Sequence, residues 1–303
     1  MQTTSHLLMI RPIAFGFNKE TAVNNSFQKE GTDWNVNEKA QQEFDRFVEV
    51  LRAQDINVLV IQDQPLPYTP DAIFPNNWMS LHSDGQMVLY PMFAPNRRSE
   101  RGKGVTDKLK EQFTVYSTID LTGYEKENRF LEGTGSMVLD RVHQIAYACL
   151  SPRTDKKVLL DFCAMLDYKP VLFHAVDKRD APIYHTNVMM CIADTFAIIA
   201  DETIRDPAER ASVLQMLKEA GKEIIPISIA QMEQFAGNAL QVKNNSGEPF
   251  LIMSDSAYHS LTPEQIKVIE TFNPILHAPL NTIEQNGGGS ARCMIAEIFL
   301  PRH

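Results

Sequence analysis

The sequence predicts an α/β fold in which one small unit occurs five times and the two ends of the chain share the fifth copy. Two observations predict it: a strand, turn, strand, helix, strand order that recurs along the chain, and a regular period. The first strands of the units begin at Asn77, Ser136, Asn187, Asn238 and Ser290, so that successive starts lie 59, 51, 51 and 52 residues apart. Periods of this order are typical of repeat and propeller architectures.

The elements of each unit follow from local signals in the sequence. The second strands MVLYPM and PFLIMSD come directly after the turn-forming segments HSDGQ and NNSGE, which is the pattern of a β-hairpin. Apolar residues at three- and four-residue spacing predict helices over residues 98–113, 154–166, 207–220 and 263–272. In the third helix we expect Asp206 as N-cap, Pro207 as first residue and Gly221 just past the end. Third strands are predicted at TVYSTI, PVLFHAV, EIIPISI and NPILHAPL.

The fifth unit is predicted to be split between the two ends of the chain. Its first strand lies in SARCMIAEIFL, and the missing parts are found near the N-terminus: HLLMIRP as second strand, residues 37–54 as helix and INVLVI as third strand. Such sharing closes the array into a ring and removes exposed sheet edges. We therefore predict a single domain over residues 1–303, although this length also allows two sequential α/β domains.

Composition narrows the class of function. The chain has 29 basic and 38 acidic residues, a net charge of −9, and 44% hydrophobic residues. The acidic balance argues against nucleic acid or an anionic membrane as partner and leaves small cationic or zwitterionic molecules. No HExxH, P-loop or GxGxxG pattern is present, so we expect no metal and no cofactor.

The sequence also bears on the compartment in which the protein acts. The N-terminal residues lack a basic segment ahead of a long apolar stretch, and no run of about 18 apolar residues occurs. We therefore expect a cytoplasmic protein, and we allow for a homodimer.

Reactive side chains lie near the starts of the first strands, which a ring would bring to one central pocket. They are Asp71, Glu132, His185 and Cys293. A thiol, an imidazole and carboxylates in one cleft form a set for covalent catalysis, because a nearby cation lowers the pKa of a cysteine and an imidazole moves protons near neutral pH. The fourth unit offers only Phe235, Gly237 and Asn238.

Each of these residues also has a purely structural interpretation. Cys149, Cys163 and Cys191 lie in apolar runs and are interpreted as core packing. Cys293 differs because it follows Gly287, Gly288 and Gly289, where the backbone must turn sharply or let a ligand approach closely. His185 could equally be a hydrogen-bonded core histidine, and Asp71 could start a turn after Pro70.

Four segments together resemble the guanidino-group-modifying pentein superfamily, which includes arginine deiminase-like and dimethylarginine hydrolases, succinylarginine dihydrolase and amidinotransferases. These segments are PDAIFPNN, FLEGTGSMVLD, YHTNVMM and NGGGSARCMIAEIFLPR. Within it the sequence is most similar to the citrulline-utilisation hydrolase branch, whose members are also called amidinotransferases. The resemblance implies a five-bladed α/β propeller, pseudo-symmetric about one axis and acting as one catalytic domain.

The resemblance also implies a role for each reactive residue. Cys293 corresponds to the nucleophile that attacks the central carbon of a guanidino or ureido group. His185 corresponds to the acid that protonates the departing amine and then activates water. Glu132 corresponds to the carboxylate that holds the imidazole and a substrate nitrogen, and Asp71 to the anchor of a guanidinium nitrogen.

Two departures from the superfamily pattern bear on the substrate. The sequence has Phe74, Asn76 and Asn77 where deiminases often have Phe-x-x-Asp, and His185-Thr186-Asn187 in place of His-x-Asp. A guanidinium favours carboxylate partners, whereas a neutral ureido group suits amides that both donate and accept. We therefore expect hydrolysis of citrulline to ornithine, ammonia and carbon dioxide, through a covalent intermediate.

Other functions stay open at this point. They are hydrolysis of arginine or dimethylarginine, amidino transfer to an amine, and non-catalytic binding by a ring of the same fold. For the substrate's carboxylate we expect Arg97 and Arg98, in a loop that could cover the pocket or simply be an exposed helix start. Gly288 is expected to let the substrate approach the backbone closely.

Overall fold

Fifteen short strands form the framework of the protein. A computed structural model describes residues 1–31 and 34–303, and the statements below concern those residues. The strands are β1 (His6–Arg11), β2 (Asn57–Gln62), β3 (Met79–Leu81), β4 (Gln86–Leu89), β5 (Ser117–Asp120), β6 (Val138–Asp140), β7 (Ile145–Cys149), β8 (Lys169–Phe173), β9 (Met190–Ile192), β10 (Phe196–Ile199), β11 (Glu223–Pro226), β12 (Leu240–Lys243), β13 (Pro249–Ser254), β14 (Ile275–Ala278) and β15 (Ala296–Glu297).

The strands form five mixed sheets of three, in the orders β15–β1–β2, β3–β4–β5, β6–β7–β8, β9–β10–β11 and β12–β13–β14. In every sheet the middle strand pairs antiparallel with the first strand of the unit and parallel with the third. The five α/β units are therefore confirmed, and so is the shared fifth sheet, which joins β1 to β15. None of the described sheets closes on itself, and the propeller stays a prediction.

Helices connect the second and third strands of the units or precede the first. The α-helices are α1 (Lys19–Ala22), α2 (Val36–Arg52), α3 (Pro95–Arg98), α4 (Val105–Lys110), α5 (Gly133–Ser136), α6 (Lys156–Leu166), α7 (Thr186–Met189), α8 (Pro207–Glu219), α9 (Ile229–Met232), α10 (Asp255–Ser260), α11 (Pro263–Glu270) and α12 (Asn281–Gly287). Single 3-10 turns lie at Pro75–Asn77, Ser99–Gly102, Thr122–Glu127, Asp201–Thr203 and Ala291–Met294.

Four of the predicted helices are confirmed within two residues at each end, as α2, α6, α8 and α11. The predicted helix 98–113 is wrong. The chain there forms α3, a 3-10 turn and α4, because Gly104 adopts a left-handed conformation with φ +73° and interrupts the helix.

The predicted strand starts also need correction. At four of the five, the residues ahead of the strand form a short helical turn instead: Pro75–Asn77, α5, α7 and Ala291–Met294. These turns pack against one another, since Asn76 Nδ2 donates to Thr134 Oγ1 at 3.3 Å and a Cβ on Gly135 would lie 2.7 Å from His185 Nδ1. Glu132 and His185 come directly before α5 and α7, and Cys293 lies within the turn Ala291–Met294, so these reactive residues lie at helical turns and not on the strands themselves.

Strand β1 is buried on both faces and joins two parts of the core. Leu7 and Met9 pack with α2, where Phe44 and Phe47 are fully buried. Leu8, on the opposite face of the strand, packs with residues of the β3–β4–β5 unit. The described helices include none that is long and apolar enough to cross a membrane.

Helix α8 provides a direct test of the capping that the sequence predicts. The Asp206 carboxylate accepts hydrogen bonds from the backbone N–H groups of Ala208 and Glu209. We expect Asp206→Ala to lower the free energy of unfolding by about 1 kcal/mol, because two N–H groups lose their acceptor. Urea unfolding measures this. Asn caps as well as Asp, so Asp206→Asn should stay close to wild type, and an equal loss in both variants would contradict the capping role.

Candidate active site

The Cys293 thiol lies on the 3-10 turn Ala291–Met294, which follows α12 and the three glycines. Its side chain is buried, and its backbone N–H donates to Ser290 O at 3.0 Å. Gly288 has φ +63°, and Tyr184 donates its hydroxyl hydrogen to the Gly288 carbonyl at 2.5 Å. A Cβ on Gly289 would come within 3.2 Å of the Cys293 Cβ. The glycines are thus required for a sharp turn and for close packing around the thiol, as the sequence indicates.

Glu132 and His185 form a buried pair beside this turn. His185 Nε2 lies 2.8 Å from Glu132 Oε2, and the carboxylate is fully buried. The backbone N–H of Phe93 donates to Glu132 Oε1 at 3.0 Å, and Arg153 Nη1 donates to Oε2 at 3.4 Å. Burial alone would raise the pKa of Glu132, but Arg153 and His185 hold it well below its ordinary value. Glu132 is therefore an anion, and it fixes the imidazole.

The His185 imidazole is neutral at neutral pH. Burial lowers its pKa to about 4, although the neighbouring Glu132 opposes this. In the neutral ring, the hydrogen bond to the carboxylate assigns the proton to Nε2, which leaves the lone pair on Nδ1. Burial likewise raises the pKa of the Cys293 thiol, so the resting site holds a neutral thiol and a neutral imidazole. No hydrogen bond joins these two groups among the described residues, but both line the same cavity.

Asp71 brings an unpaired acceptor to this cavity. Its Oδ2 accepts hydrogen bonds from Asn18 Nδ2 at 2.7 Å and Thr21 Oγ1 at 3.0 Å. Its Oδ1 is buried and has no hydrogen-bond partner within the described part of the chain. Burial raises the pKa of the carboxyl group. A buried oxygen without a partner is costly, so this site is suited to a ligand that supplies a donor or a positive charge.

The side-chain amides of Asn76 and Asn77, in the first unit, already form hydrogen bonds within the protein. Asn77 Oδ1 accepts from Arg97 Nη1 at 2.6 Å, and Asn77 Nδ2 donates to Asn76 Oδ1 at 3.1 Å. Asn76 Nδ2 donates to Thr134 Oγ1. Asn77 and Phe74 line the cavity, whereas Asn76 lies behind them. The structure thus places Asn77 in the cavity lining and Asn76 outside it, and the expected substrate contact of Asn76 stays a prediction.

Arg97 and Arg98, expected in a covering loop or at an exposed helix start, are both held by hydrogen bonds within the protein. Arg97 is buried and donates to both carboxylate oxygens of Glu100, at 2.9 and 3.0 Å. It also donates to the carbonyl of Phe74, so it supports the loop that carries Asn77, and it lines the cavity. Arg98 instead donates to the carbonyls of Met92 and Phe93 and does not line the cavity. The structure thus places Arg98 outside the cavity lining, with its donors bound to the backbone, and its expected substrate contact stays a prediction.

Arg153 is a cavity residue that the sequence reading missed. It is buried, donates to Glu132, and donates to the carbonyl of Thr21 at 2.6 Å. A signal for it exists in the repeat: Arg153 follows the second strand of its unit, as Arg97 does in the first unit. Its guanidinium also lies over the Tyr184 ring, 4.9 Å from the centroid.

Two asparagines from different units contact the Cys293 sulfur. Asn187 Nδ2 lies 3.6 Å from Sγ, and Asn238 Nδ2 lies 3.2 Å from it. Asn187 was expected at the site. Asn238, from the fourth unit, was not assigned a role, because an isolated amide after a glycine gives no signal of chemistry.

The cavity is narrow and is covered by the segment that contains α1. Its free space would hold about one water molecule. Thr21 and Asn25 of the covering segment lie against it, and Asn25 Nδ2 donates to the Gly288 carbonyl at 3.3 Å. The residues that line it are Thr21, Asn25, Asp71, Phe74, Asn77, Arg97, Arg153, Tyr184, His185, Gly287, Gly288, Gly289 and Cys293. The predicted convergence of residues from distant segments is thus seen in the structure.

The fold and this set of side chains define a member of the guanidino-group-modifying pentein superfamily, as the sequence motifs indicate. The chain belongs to the N,N-dimethylarginine dimethylhydrolase family, in its eukaryotic form, whose model matches residues 11–300. Among curated protein sequences, none matches this chain.

Solved structures share the fold at low sequence identity. The apo structure of ArgZ, an arginine dihydrolase from the ornithine-ammonia cycle in cyanobacteria, has a TM-score of 0.77 and 17% identity over 98% of this chain. The match spans 41% of that longer protein. The N-terminal domain of ArgZ bound to its substrate has the same TM-score and identity, with 98% of each chain covered. An adduct of dimethylarginine dimethylaminohydrolase with S-methyl-L-thiocitrulline has a TM-score of 0.63 and 12% identity, covering 98% of this chain and all of the other.

Because the pKa of His185 is lowered in the folded protein, the free energy of unfolding depends on pH in the acid range. An unfolded histidine takes up a proton near pH 6.5, whereas folded His185 does so only near pH 4. The unfolded state therefore binds more protons between these values, and stability falls as the pH is lowered through that window. We expect a loss of up to about 3 kcal/mol that is absent in His185→Asn. Urea unfolding from pH 7 to 4 measures it, and parallel curves for the two proteins would contradict the assignment.

Proposed function

We propose that the protein hydrolyses a carbon–nitrogen bond in the guanidino group of arginine or of an N-methylated arginine, through a covalent intermediate on Cys293. One observation carries this proposal: a thiol, an imidazole fixed by a carboxylate, and an unpaired buried carboxylate oxygen line the same closed cavity. Nucleophile, proton carrier and cation acceptor are the three parts that such a reaction needs. Family membership supports the same class of substrate.

The first half of the reaction uses the neutral thiol and the neutral imidazole. A bound guanidinium places positive charge next to Cys293 and lowers the pKa of the thiol. The thiol proton passes to His185 Nδ1, and the sulfur forms a bond to the guanidino carbon. The carbon–nitrogen bond then breaks, and the imidazolium returns its proton to the departing amine or ammonia. Glu132 holds the Nε2 proton throughout and stabilises the imidazolium.

The second half of the reaction hydrolyses the covalent intermediate and regenerates the free thiol of Cys293. Water attacks the thiouronium carbon as His185 Nδ1 takes up one of its protons. The carbon–sulfur bond breaks, the thiolate is protonated by the imidazolium, and the remaining hydroxyl group forms the carbonyl of the product by losing its proton to solvent. The products are a ureido amino acid and an amine or ammonia. No step needs a metal or a cofactor.

The charges in the cavity favour a cationic substrate over citrulline. The citrulline expectation depends on the amides of Asn76, Asn77 and Asn187, and Arg97 and Thr134 already bind the first two, which leaves Asn187 for a ureido group. The acceptor left without a partner is instead Asp71 Oδ1, a carboxylate oxygen. A guanidinium or an ammonium satisfies it, whereas a neutral ureido group carries no charge to compensate it. The relatives, named as arginine and dimethylarginine hydrolases, point in the same direction.

The amino-acid end of the substrate needs a cation for its carboxylate. Arg153 and Arg97 both reach the cavity, where Arg153 pairs with Glu132 and Arg97 with Glu100. We assign the carboxylate to Arg153, because its hydrogen bonds to Thr21 and Asn24 go to the covering segment and are freed when that segment moves, whereas Arg97 donates to Asn77, Glu100 and the loop backbone. The cavity has room for about one water, so Thr21 and Asn25 have to move aside when the substrate enters.

The architecture of the enzyme forms part of the proposal. Turns ahead of the first strands of four sheets, and the residue Asn238 ahead of the fifth, meet around Cys293. This convergence supports a closed five-bladed propeller in which residues 1–303 act as one catalytic domain on a small molecule. We propose a cytoplasmic enzyme without nucleic acid or membrane partners.

Product analysis with a set of substrates tests the reaction. Arginine, dimethylarginine and citrulline are incubated with the wild type and with Cys293→Ser, and ammonia, methylated amines, citrulline and ornithine are measured. We expect turnover of at least one guanidino substrate, and loss of turnover by at least about a thousandfold in the variant. Turnover of citrulline without turnover of either guanidine would overturn the proposed substrate class. Undiminished turnover in the variant would remove the covalent mechanism.

Asp71 gives a second test, of the substrate charge. We expect Asp71→Asn to lower kcat/KM for the preferred guanidino substrate by about 10- to 100-fold, because the cation loses a charged acceptor. Steady-state kinetics measure it, with Asp63→Asn as a control, since the buried Asp63 pairs with Lys103 away from the cavity. An equal loss in both variants would show that Asp71 acts only on the fold.

A further inference from the structure

Asn238 lies between α9 and β12, in the unit for which the sequence shows no reactive side chain. It is fully buried, and both ends of its amide are bonded. Nδ2 donates to the backbone carbonyl of Asn187 at 2.9 Å and lies 3.2 Å from Cys293 Sγ. Oδ1 accepts the backbone N–H of Arg292 at 3.1 Å and lies 3.6 Å from Sγ, where it accepts from the neutral thiol. Asn238 therefore connects the turn that carries the thiol to the turn that carries His185.

The backbone partners leave the Asn238 amide only one orientation. The Arg292 N–H needs an acceptor and the Asn187 carbonyl needs a donor, so Oδ1 and Nδ2 cannot exchange places. The Nδ2 group has two hydrogens, and the first is used by the carbonyl. The second is left for the sulfur, at a distance suited to an N–H···S hydrogen bond.

The side chain of Asn187, unlike that of Asn238, is not fixed by hydrogen bonds to the backbone of the described residues. Its Nδ2 and Oδ1 lie 3.6 and 3.9 Å from Sγ, and the described residues offer its side chain no other hydrogen-bond partner. Asn187 is thus free to turn toward a substrate, whereas Asn238 is committed to the protein.

The local backbone is built to bring Asn238 to the sulfur. Phe235, three residues earlier, has a left-handed φ of +63°, and its carbonyl accepts the Asn238 N–H at 2.8 Å. Gly237 packs so tightly on α7 that a Cβ there would lie 2.5 Å from Val188 O and 2.7 Å from Met189 C. A strained residue and an obligatory glycine therefore precede an amide whose N–H group faces the sulfur.

We propose that Asn238 is a positioning residue, which holds the Cys293 sulfur for attack and stabilises its thiolate through the second hydrogen of Nδ2. This inference rests on the proposed function, because it assigns a role in the same reaction. An uncharged donor suits this site: it supports the thiolate when the substrate cation is present, without creating a thiolate in the empty cavity.

The test is a titration of the Cys293 thiol, which does not depend on turnover. Thiolate absorbance is followed against pH for each protein and for its Cys293→Ala counterpart, and the difference reports Cys293 alone. We expect Asn238→Ala to raise the thiol pKa by about one to two pH units, because the thiolate loses a hydrogen bond. Asn238→Asp keeps the size and the acceptor for Arg292, but it replaces the N–H group with an oxygen and should raise the thiol pKa at least as much.

Two further variants separate this role from a general effect on folding. Gly237→Ala keeps the amide but pushes it away from the sulfur, so it should raise the thiol pKa in the same direction. Asn273→Ala removes a buried amide that pairs with Gln241, and it should titrate as the wild type does. With the preferred guanidino substrate, we expect kcat in Asn238→Ala to fall about 10- to 100-fold, with KM nearly unchanged and partial recovery at high pH.

The outcomes distinguish this inference from the proposed function. A wild-type thiol pKa in both Asn238 variants, with cooperative unfolding like that of Asn273→Ala, would overturn the positioning role. If the thiol pKa rises as expected but the wild type consumes no guanidino substrate, the role of Asn238 stands and the proposed reaction fails.

Discussion

The site depends on the compensation of one buried charge. Glu132 has no exposed surface, and a carboxylate in that position is stable only because Arg153, His185 and a backbone N–H surround it. The same contacts give the imidazole its orientation and its tautomer. Arg153 in turn binds the covering segment through the Thr21 carbonyl. The Glu132 carboxylate thus fixes the imidazole of His185 and pairs with the Arg153 guanidinium. Through Arg153 it is also linked to the segment that covers the cavity.

Much of the framework could be predicted from the sequence because it depends on local patterns. Hairpin turns, apolar spacing and the cap at Asp206 act over a few residues, and their regular repetition revealed five units. The helical turns at the starts of the strands could not be predicted in this way. They are only three or four residues long and rich in Gly, Thr and Asn, so they have no periodicity to detect, and they form because they pack against one another.

The roles of polar side chains were predictable only where the chemistry is distinctive. A thiol after three glycines and a carboxylate ahead of an apolar strand are recognisable in the sequence as candidate site residues, whereas Arg153 and Asn238 are not. Arg153 acquires its role from Thr21 and Asn24, which lie 132 and 129 residues away in the chain. Asn76 shows the opposite case: its motif predicts contact with a ligand, but its side-chain amide forms hydrogen bonds with Thr134 and Asn77. Which donors remain unused is a property of the packed structure.

The pairing of β1 with β15 has a consequence for the order of events during synthesis. Leu8, buried on one face of β1, pairs with Ala296, which the ribosome adds almost 290 residues later. The first strand must therefore wait, unpaired on that edge, while the four other sheets emerge and form. Cys293 lies three residues before β15 and is the last of the cavity residues to be synthesised, so the cavity lacks its thiol until then.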